Sequence, residues 1–348
     1  MIIAKADVKE GKPASEELLA HKISNATDKF TTPLVRAHSS QKHCYSSDRV
    51  DQSGAAQVCV DNQPASLAVE AAVAIVINGI HYAVLMASPS QLEYLAVGFL
   101  FSEGLIQHSH ELLDWEVTSL TDPSSYQQFT QGSDNKDGDA AEFEKITQQL
   151  QDYDVYVVEL VLNQRCHQRI QAQKRQLAGR TGCGMCGITG LTQALPDLSC
   201  YSQGSLQDCQ NSTTALPKKI VPSLDCLLDL RQQVEAAQRT HQLTGALHAA
   251  ATIDNQRLHL FEDVGRHNAL DKLIGWQLRH KTDVDCVLMT SRLSIELVQK
   301  SIRGRIPWLI GMSAPTSTAI RVAERYGLGV AGFLRNDRVT YYSGYLDF

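Results

Sequence analysis

The most constraining feature of this chain is the alternation in its last third. Short apolar runs rich in β-branched residues are separated by stretches with helical periodicity. Residues 224–239 read as a helix, and residues 246–253 and 257–262 as paired strands. Residues 268–279 read as a helix with Leu270, Leu273, Ile274 and Leu278 on one face. A strand over 284–289, a helix over 295–303 and a strand over 308–311 follow. A helix over 316–326 and a strand over 330–334 complete the series. This β-α-β-α-β order predicts a largely central sheet with helices on its faces.

The upstream chain is less regular. Residues 1–65 are polar and weakly periodic, and read as a loosely ordered extension. Residues 73–77, the pair Asn78-Gly79 and residues 81–86 read as a β-hairpin with a two-residue turn. A helix is expected next, with Ser88 as N-cap, Pro89 as first helical residue and Gln91 completing a capping box. Leu92, Leu95, Ala96, Phe99 and Leu100 form its apolar face, and Gly104 is its natural stop. Residues 156–162 read as a strand. Four regions are therefore expected: the extension 1–65; an N-terminal α+β domain over 66–180 with a polar insertion near 121–140; a mobile loop over 181–217; and a C-terminal domain over 218–348.

The 348 residues, 43% of them hydrophobic, suffice for two domains with a substantial core. A formal net charge of -6 argues against a protein that coats nucleic acid or an anionic membrane. The longest apolar run, residues 71–77, falls far short of the roughly 20 residues a membrane span needs. Met1-Ile2-Ile3-Ala4-Lys5 turns charged at once and lacks the apolar core of a signal peptide. A cytoplasmic location is expected. The nine cysteines, odd in number and mostly scattered, point to reduced thiols rather than a disulfide framework.

Arg180-Thr181-Gly182-Cys183-Gly184-Met185-Cys186-Gly187 is the most chemically informative stretch. Two thiols at this spacing can share a metal, form a disulfide or pass a sulfur atom. Spacing alone favours zinc, then redox chemistry, then sulfur transfer. Structural zinc needs four ligands. No second CxxC exists, His38 and His43 lie far upstream, and Cys200 and Cys209 match no common finger. Thioredoxin-type chemistry places its first Cys at a helix N-terminus. Gly182, Gly184 and Gly187 disfavour a helix and favour a flexible loop. Such a loop suits a carrier whose thiol must reach a donor and then an acceptor. A nearby cation such as Arg180 favours the attacking thiolate. The bland alternative is a glycine-rich turn with two inert thiols.

Several strand-to-helix turns are candidate anion sites. Glu262-Asp263-Val264-Gly265-Arg266-His267-Asn268-Ala269 combines a helix start with Arg266 and His267. Taken alone, an ordinary turn with Asn268 as N-cap is the favoured reading. Ser313-Ala314-Pro315-Thr316 opens another helix with hydroxyls that cradle phosphate or simply cap. Thr290-Ser291-Arg292-Leu293-Ser294 follows a strand in the same way. Three such starts after parallel strands gather at one sheet edge, where α/β folds bind ligands. Phe333-Leu334-Arg335-Asn336-Asp337-Arg338 ends the last long strand, and its arginines pair with phosphates or guanine edges, or belong to a solvated turn. GxGxxG and GxxxxGK[ST] loops are missing, so nucleotide hydrolysis and dinucleotide redox chemistry are not expected.

Together these stretches resemble the FdhD family, sulfurtransferase accessory proteins of formate dehydrogenase. The resemblance is carried by Val76-Ile77-Asn78-Gly79, by residues 98–104, by Cys183-Gly184-Met185-Cys186-Gly187 and by residues 262–269. Ser313-Ala314-Pro315-Thr316 and Gly332-Phe333-Leu334-Arg335 also match. It implies an α/β (overall α+β) protein whose C-terminal domain is cytidine-deaminase-like, with a central mixed sheet flanked by helices, beside a smaller N-terminal α+β domain. It implies that Cys183 accepts sulfur as a persulfide from an IscS-type cysteine desulfurase, with Cys186 assisting. The sulfur then passes to the molybdenum or tungsten bis-pterin guanine dinucleotide cofactor before insertion into formate dehydrogenase. Mo-bis(molybdopterin guanine dinucleotide) is thus a bound substrate, and no permanently bound metal is expected. Phe333, Leu334, Arg335, Asn336, Asp337 and Arg338 are its expected contacts, joined by Arg266, His267, Ser313 and Thr316. A homodimer is implied, without nucleic-acid or membrane partners. Deamination is not implied: His248-Ala249-Ala250 lacks the glutamate of the zinc-deaminase signature, and Gly182 stands where its proline would be. The rival readings are a cofactor chaperone without sulfur transfer and a zinc-binding module.

Overall fold

In the computed structural model, which describes residues 34–50, 56–120, 153–174, 196–201 and 220–344, β1 (Val35–Val50) and β2 (Ala56–Ala68) form a long antiparallel ribbon. Arg36 Nη2 bonds Asp154 Oδ1 at 2.7 Å near its base. The sequence reading expected a loose extension over this stretch. A ribbon largely exposed to solvent, held by backbone hydrogen bonds, needs no alternation of apolar and polar residues, so its strands leave little periodic trace.

The expected hairpin forms from β3 (Ala71–Ile77) and β4 (Ile80–Ala87). Asn78 and Gly79 take φ of 49° and 75°, the mirror-image turn that suits strand twist. The Asn78 side chain also accepts from Leu162 N at 2.8 Å and donates to Leu162 O at 3.2 Å. It therefore clamps the hairpin to the end of the strand Asp154–Leu162.

α1 (Leu92–Ser102) begins three residues later than expected. Ser88 does not cap it. The Ser88 hydroxyl accepts from Val264 N at 3.2 Å, and Ser88 N donates to Asp263 Oδ2 at 3.1 Å. A tertiary network has taken the groups the cap would use, and Gln91 enters the helix in a left-handed conformation. β5 (Leu112–Ser119) and β6 (Asp154–Leu162) complete a four-stranded sheet in the order β4-β3-β6-β5. α2 (Gln164–Lys174) follows, its start capped by Asn163 Oδ1 accepting from Cys166 N at 3.0 Å.

The C-terminal part contains α3 (Leu224–Ala237), α4 (Arg239–Thr244), β7 (His248–Asp254), β8 (Arg257–Asp263) and α5 (Arg266–His280). Then come β9 (Val287–Met289), α6 (Ile295–Arg303), β10 (Trp308–Gly311), α7 (Ser317–Tyr326), β11 (Gly329–Gly332) and β12 (Thr340–Ser343). Its six strands run in the order β12-β11-β10-β9-β7-β8. β9, β10 and β11 are parallel, while β7 is antiparallel to both β8 and β9. Successive strand residues serve opposite layers. Val287, Met289, Leu309 and Val330 join the core with α5, α6 and α7, whereas Leu288, Ile310 and Ala331 pack with Leu227, Leu230 and Val234 of α3.

α1 and α5 lie between the two sheets. A Cβ on Gly98 would sit 1.8 Å from Asp271 O, and one on Gly275 1.9 Å from Tyr94 O. Only glycine permits so close a crossing. Asp271 accepts from Ser102 Oγ at 2.7 Å and from Lys300 Nζ at 2.8 Å to each oxygen, which adds α6 to the joint. Pro33–Phe348 is one unit, and the chain is a mixed α+β protein whose mixed sheets are flanked by helices. Among the described residues no helix is long and apolar enough to cross a membrane.

Candidate functional site

Strand directions decide where the candidate turns meet. β8 runs antiparallel to β7, and β7 antiparallel to β9, so β8 points the same way as β9, β10 and β11. The turns after these four strands therefore share one edge of the sheet. Hydrogen bonds join three of them: Leu293 N to Ala314 O at 3.1 Å, Thr316 N to Leu293 O at 3.0 Å, and Phe333 N to Ser313 O at 3.2 Å. The turn after β8 lies four strand spacings from the turn after β11, roughly 19 Å.

The turn carrying Arg266 and His267 is fixed from below. Asp263 Oδ1 accepts from Gly265 N at 2.8 Å and from Asn268 Nδ2 at 2.9 Å. Asp263 Oδ2 meets Lys272 Nζ at 2.7 Å, and both side chains are fully buried. Lys272 donates in addition to Ser88 O at 3.2 Å and Glu262 O at 3.1 Å, and Asn268 Nδ2 to Met86 O at 2.8 Å. Gly265, not Asn268, is the N-cap of α5. Asn268 is drawn inward because its amide ties the turn to β4. The charges of this pair are spent on architecture, fixing the turn that carries Arg266 and His267.

His267 is pushed down to about 4 by burial, then by the positive charges of Lys300 and Arg266; Glu296 pulls the other way. It is a neutral imidazole near pH 7, not the cation a phosphate site would use. Burial also lowers His248, with Arg266, His241 and Arg292 adding to the effect. Burial raises Glu262, against a backbone hydrogen bond from His241. Spacing did not single out His248 and Glu296 as partners of His267. Only the folded sheet brings α6 and the start of β7 beside α5.

The other expected contacts divide. Thr316 is the N-cap of α7, its hydroxyl accepting from Ala319 N at 3.3 Å. Ser313 offers its carbonyl to Phe333 N. Phe333 has φ of 52° and is 39% exposed, an uncommon backbone for an aromatic residue, and its ring faces solvent at the edge. Leu334, expected to contact the cofactor, is fully buried in the core under α3, and its backbone is taken as well: Leu334 N donates to Gly311 O at 3.2 Å and Leu334 O accepts from Arg231 Nη1 at 3.1 Å. Arg335 N donates to Arg338 O at 2.8 Å, closing a turn that exposes Arg335, Asn336, Asp337 and Arg338.

Cys183 and Cys186, the insertion near 121–140, and most of the loop expected over 181–217 lie outside the described residues. Cys44, Cys226 and Cys286 are free, and burial pushes the Cys286 thiol up to about 12. Among the described residues no group of three or more His, Cys, Asp or Glu side chains is placed to hold a metal ion.

Residues 68–346 match the model of the FdhD/NarQ family. The sulfur carrier protein FdhD of Shewanella oneidensis is 34% identical over 280 residues, covering 79% of this chain and 83% of the relative. That of Chromobacterium violaceum is 38% identical over 273 residues, covering 77% and 85%. A crystal structure described as a formate dehydrogenase accessory protein from Desulfotalea psychrophila superposes with a TM-score of 0.57 at 18% identity. It covers 89% of this chain and 97% of the other, and shows a shared fold. With four-fifths of its length matched, the chain belongs to the FdhD/NarQ family.

Proposed function

We propose that this protein is a sulfur carrier that serves formate dehydrogenase. The observation that carries the reading is the dithiol Cys183-Gly184-Met185-Cys186, in a chain whose relatives are named sulfur carriers. The Cys183 thiolate attacks the outer sulfur of a persulfide on an IscS-type cysteine desulfurase. The S–S bond of the donor breaks, the donor leaves as a thiolate, and Cys183 carries the persulfide. Cys186 then attacks Cys183, releasing hydrosulfide to the metal and leaving a Cys183–Cys186 disulfide. A thiol reductant returns the pair to its starting state by supplying two electrons.

The acceptor is the molybdenum or tungsten bis-pterin guanine dinucleotide cofactor, held as substrate before its insertion into formate dehydrogenase. The edge supports a substrate of that size. Arg266 and His267 stand roughly 19 Å from Phe333 and Arg335, further than a mononucleotide spans. Two copies of the chain act together in this reading, in the cytoplasm.

Replacing Cys183 by Ala is expected to abolish formate dehydrogenase activity in cells that depend on this protein. Incubation with desulfurase and cysteine is expected to add one sulfur to Cys183 by mass spectrometry. Full activity of the Cys183→Ala variant would refute the carrier role.

A further inference from the structure

Two of the nine cysteines that look scattered in the sequence are placed opposite one another by the fold. Cys44 of β1 and Cys59 of β2 are direct register partners in the antiparallel ribbon. The ladder is regular from Val35 and Ala68 to Tyr45 and Val58, and it slips between Tyr45 and Val50. The cysteine rung thus lies next to the last regular pair before the slip. Both positions precede residue 68, where the match to the FdhD/NarQ family begins, so the pair belongs to the extension particular to this chain.

The kind of rung follows from the base of the ribbon. Val69 N donates to Leu34 O at 3.0 Å, which makes Leu34 and Val69 a hydrogen-bonded pair. Such pairs recur on every second rung, and Cys44 stands an even number of rungs above Leu34. Cα atoms across a hydrogen-bonded rung are about 5.5 Å apart. Disulfides bridge Cα atoms roughly 4.4–6.8 Å apart, most often about 5.5–6 Å. The backbone therefore holds the two positions at the span a disulfide needs. Cys44 is exposed and its thiol is free, and Lys42 and Asp61, the next pair on that face, are exposed too. A small molecule in solvent can reach this rung.

We propose that Cys44 and Cys59 are a second redox dithiol, in addition to Cys183 and Cys186, which closes reversibly to a disulfide that staples β1 to β2. The oxidant is a low-molecular-weight disulfide of the glutathione class. The Cys44 thiolate attacks one of its sulfurs, its S–S bond breaks, and one thiolate leaves, with Cys44 held in a mixed disulfide. The Cys59 thiolate then attacks the Cys44 sulfur, the second thiolate leaves, and the Cys44–Cys59 bond forms. Two electrons pass from the cysteines to the small disulfide, and the two thiol protons end on the released thiols. Excess thiol reverses each step, so an exposed pair follows the surrounding thiol pool as a buried structural bridge does not. The staple has its effect because a two-stranded ribbon is marginal by itself. Most of residues 36–44 and all of 60–64 are exposed, which leaves backbone pairing to hold the strands. A cross-link beside the slip removes open states of the outer end.

The test uses the full chain equilibrated with oxidised or reduced glutathione, then alkylated and digested with trypsin. Cleavage after Arg49 separates the two cysteines, so the disulfide appears as two peptides in one mass. Oxidised glutathione is expected to produce that linked species, and reduced glutathione to abolish it. Cys59→Ser is expected to stop at a glutathione adduct on Cys44. Amide hydrogen exchange over 56–63 is expected to slow at least about tenfold in the oxidised chain. The double variant Cys44→Ser, Cys59→Ser is expected to exchange alike in both buffers. Cys183→Ala is expected to form the same link, because the ribbon pairs without that thiol. The proposal is overturned if Cys44 and Cys59 stay unlinked in oxidised glutathione, or if Cys44 links instead to another cysteine or to a second copy of the chain. Equal exchange of the unmodified chain in the two buffers overturns it as well. Loss of the link in Cys183→Ala does the same, since Cys44 would then depend on the other dithiol.

Discussion

Lys272 shows how much of the family-like motif is architecture. Its ammonium sits in a fully buried shell with Asp263 and the carbonyls of Ser88 and Glu262. Lys272→Met leaves the Asp263 carboxylate buried without its cation, and is expected to cost about 3–5 kcal/mol in urea unfolding. Adding Asp263→Asn is expected to cost less than the sum of the single changes, because the two share one network. His267 yields a pH prediction. Its folded-state value of about 4 lies below the ordinary 6.5, so between these values the unfolded chain binds the extra proton. Stability contributed by the neutral imidazole is complete above pH 6.5 and lost as pH falls toward 4, by up to about 3 kcal/mol. His248 and His259 act in the same direction, whereas the raised Glu262 and Asp271 oppose it. Comparing His267→Gln with the unmodified chain isolates the contribution: the variant's stability curve should be flatter from pH 6.5 to 4. Identical slopes would show that His267 titrates normally. The glycine-flanked spacing of Cys183 and Cys186 is a local signal, which marks a reactive dithiol in the sequence but leaves zinc, redox and sulfur-transfer chemistry open. Nothing in the sequence points to Glu296, since a first-turn glutamate looks like an ordinary helix start until α6 meets His267.

At the scale of elements, periodicity found what packing produces. The helix over 295–303 and the strand over 308–311 fall where the alternation places them, because the helix buries one face and the strand both of its faces in the core. The missed elements are those whose stability comes from elsewhere. The β1–β2 ribbon is built of backbone pairing, and the start of α1 is moved by Ser88's bonds to Val264 and Asp263. The crossing of α1 and α5 was also invisible, although Gly98 stood within a recognised motif. Gly98→Ala drives its Cβ into the α5 backbone at Asp271 O and Gly275 N, so the two helices must move apart. It is expected to destabilise the chain by about 3 kcal/mol or more, where an exposed helical glycine would gain from the same change. A melting temperature at or above that of the unmodified chain would mean the helices do not touch there.

At the scale of the whole molecule, the sheet edge depends on both halves of the chain. The turn that presents Arg266 and His267 is held by Met86 and Ser88 from beside the four-stranded sheet. Arg279 at the end of α5 stacks 3.7 Å over the Trp115 ring of β5. Asp271 of α5 ties Ser102 to Lys300. The two parts read from the sequence as successive domains therefore share one core, and neither can loosen without disturbing the site. Unfolding should follow that sharing. Trp115 reports the contact between the parts, and Trp308, fully buried, reports the six-stranded sheet. In variants retaining one of these tryptophans at a time, both should lose their native emission at the same temperature, coincident with far-UV circular dichroism. Gly98→Ala should lower both midpoints together. If Trp115 were released several degrees before Trp308, the halves would be separable domains, and the rigid presentation of Arg266 and His267 would need another cause.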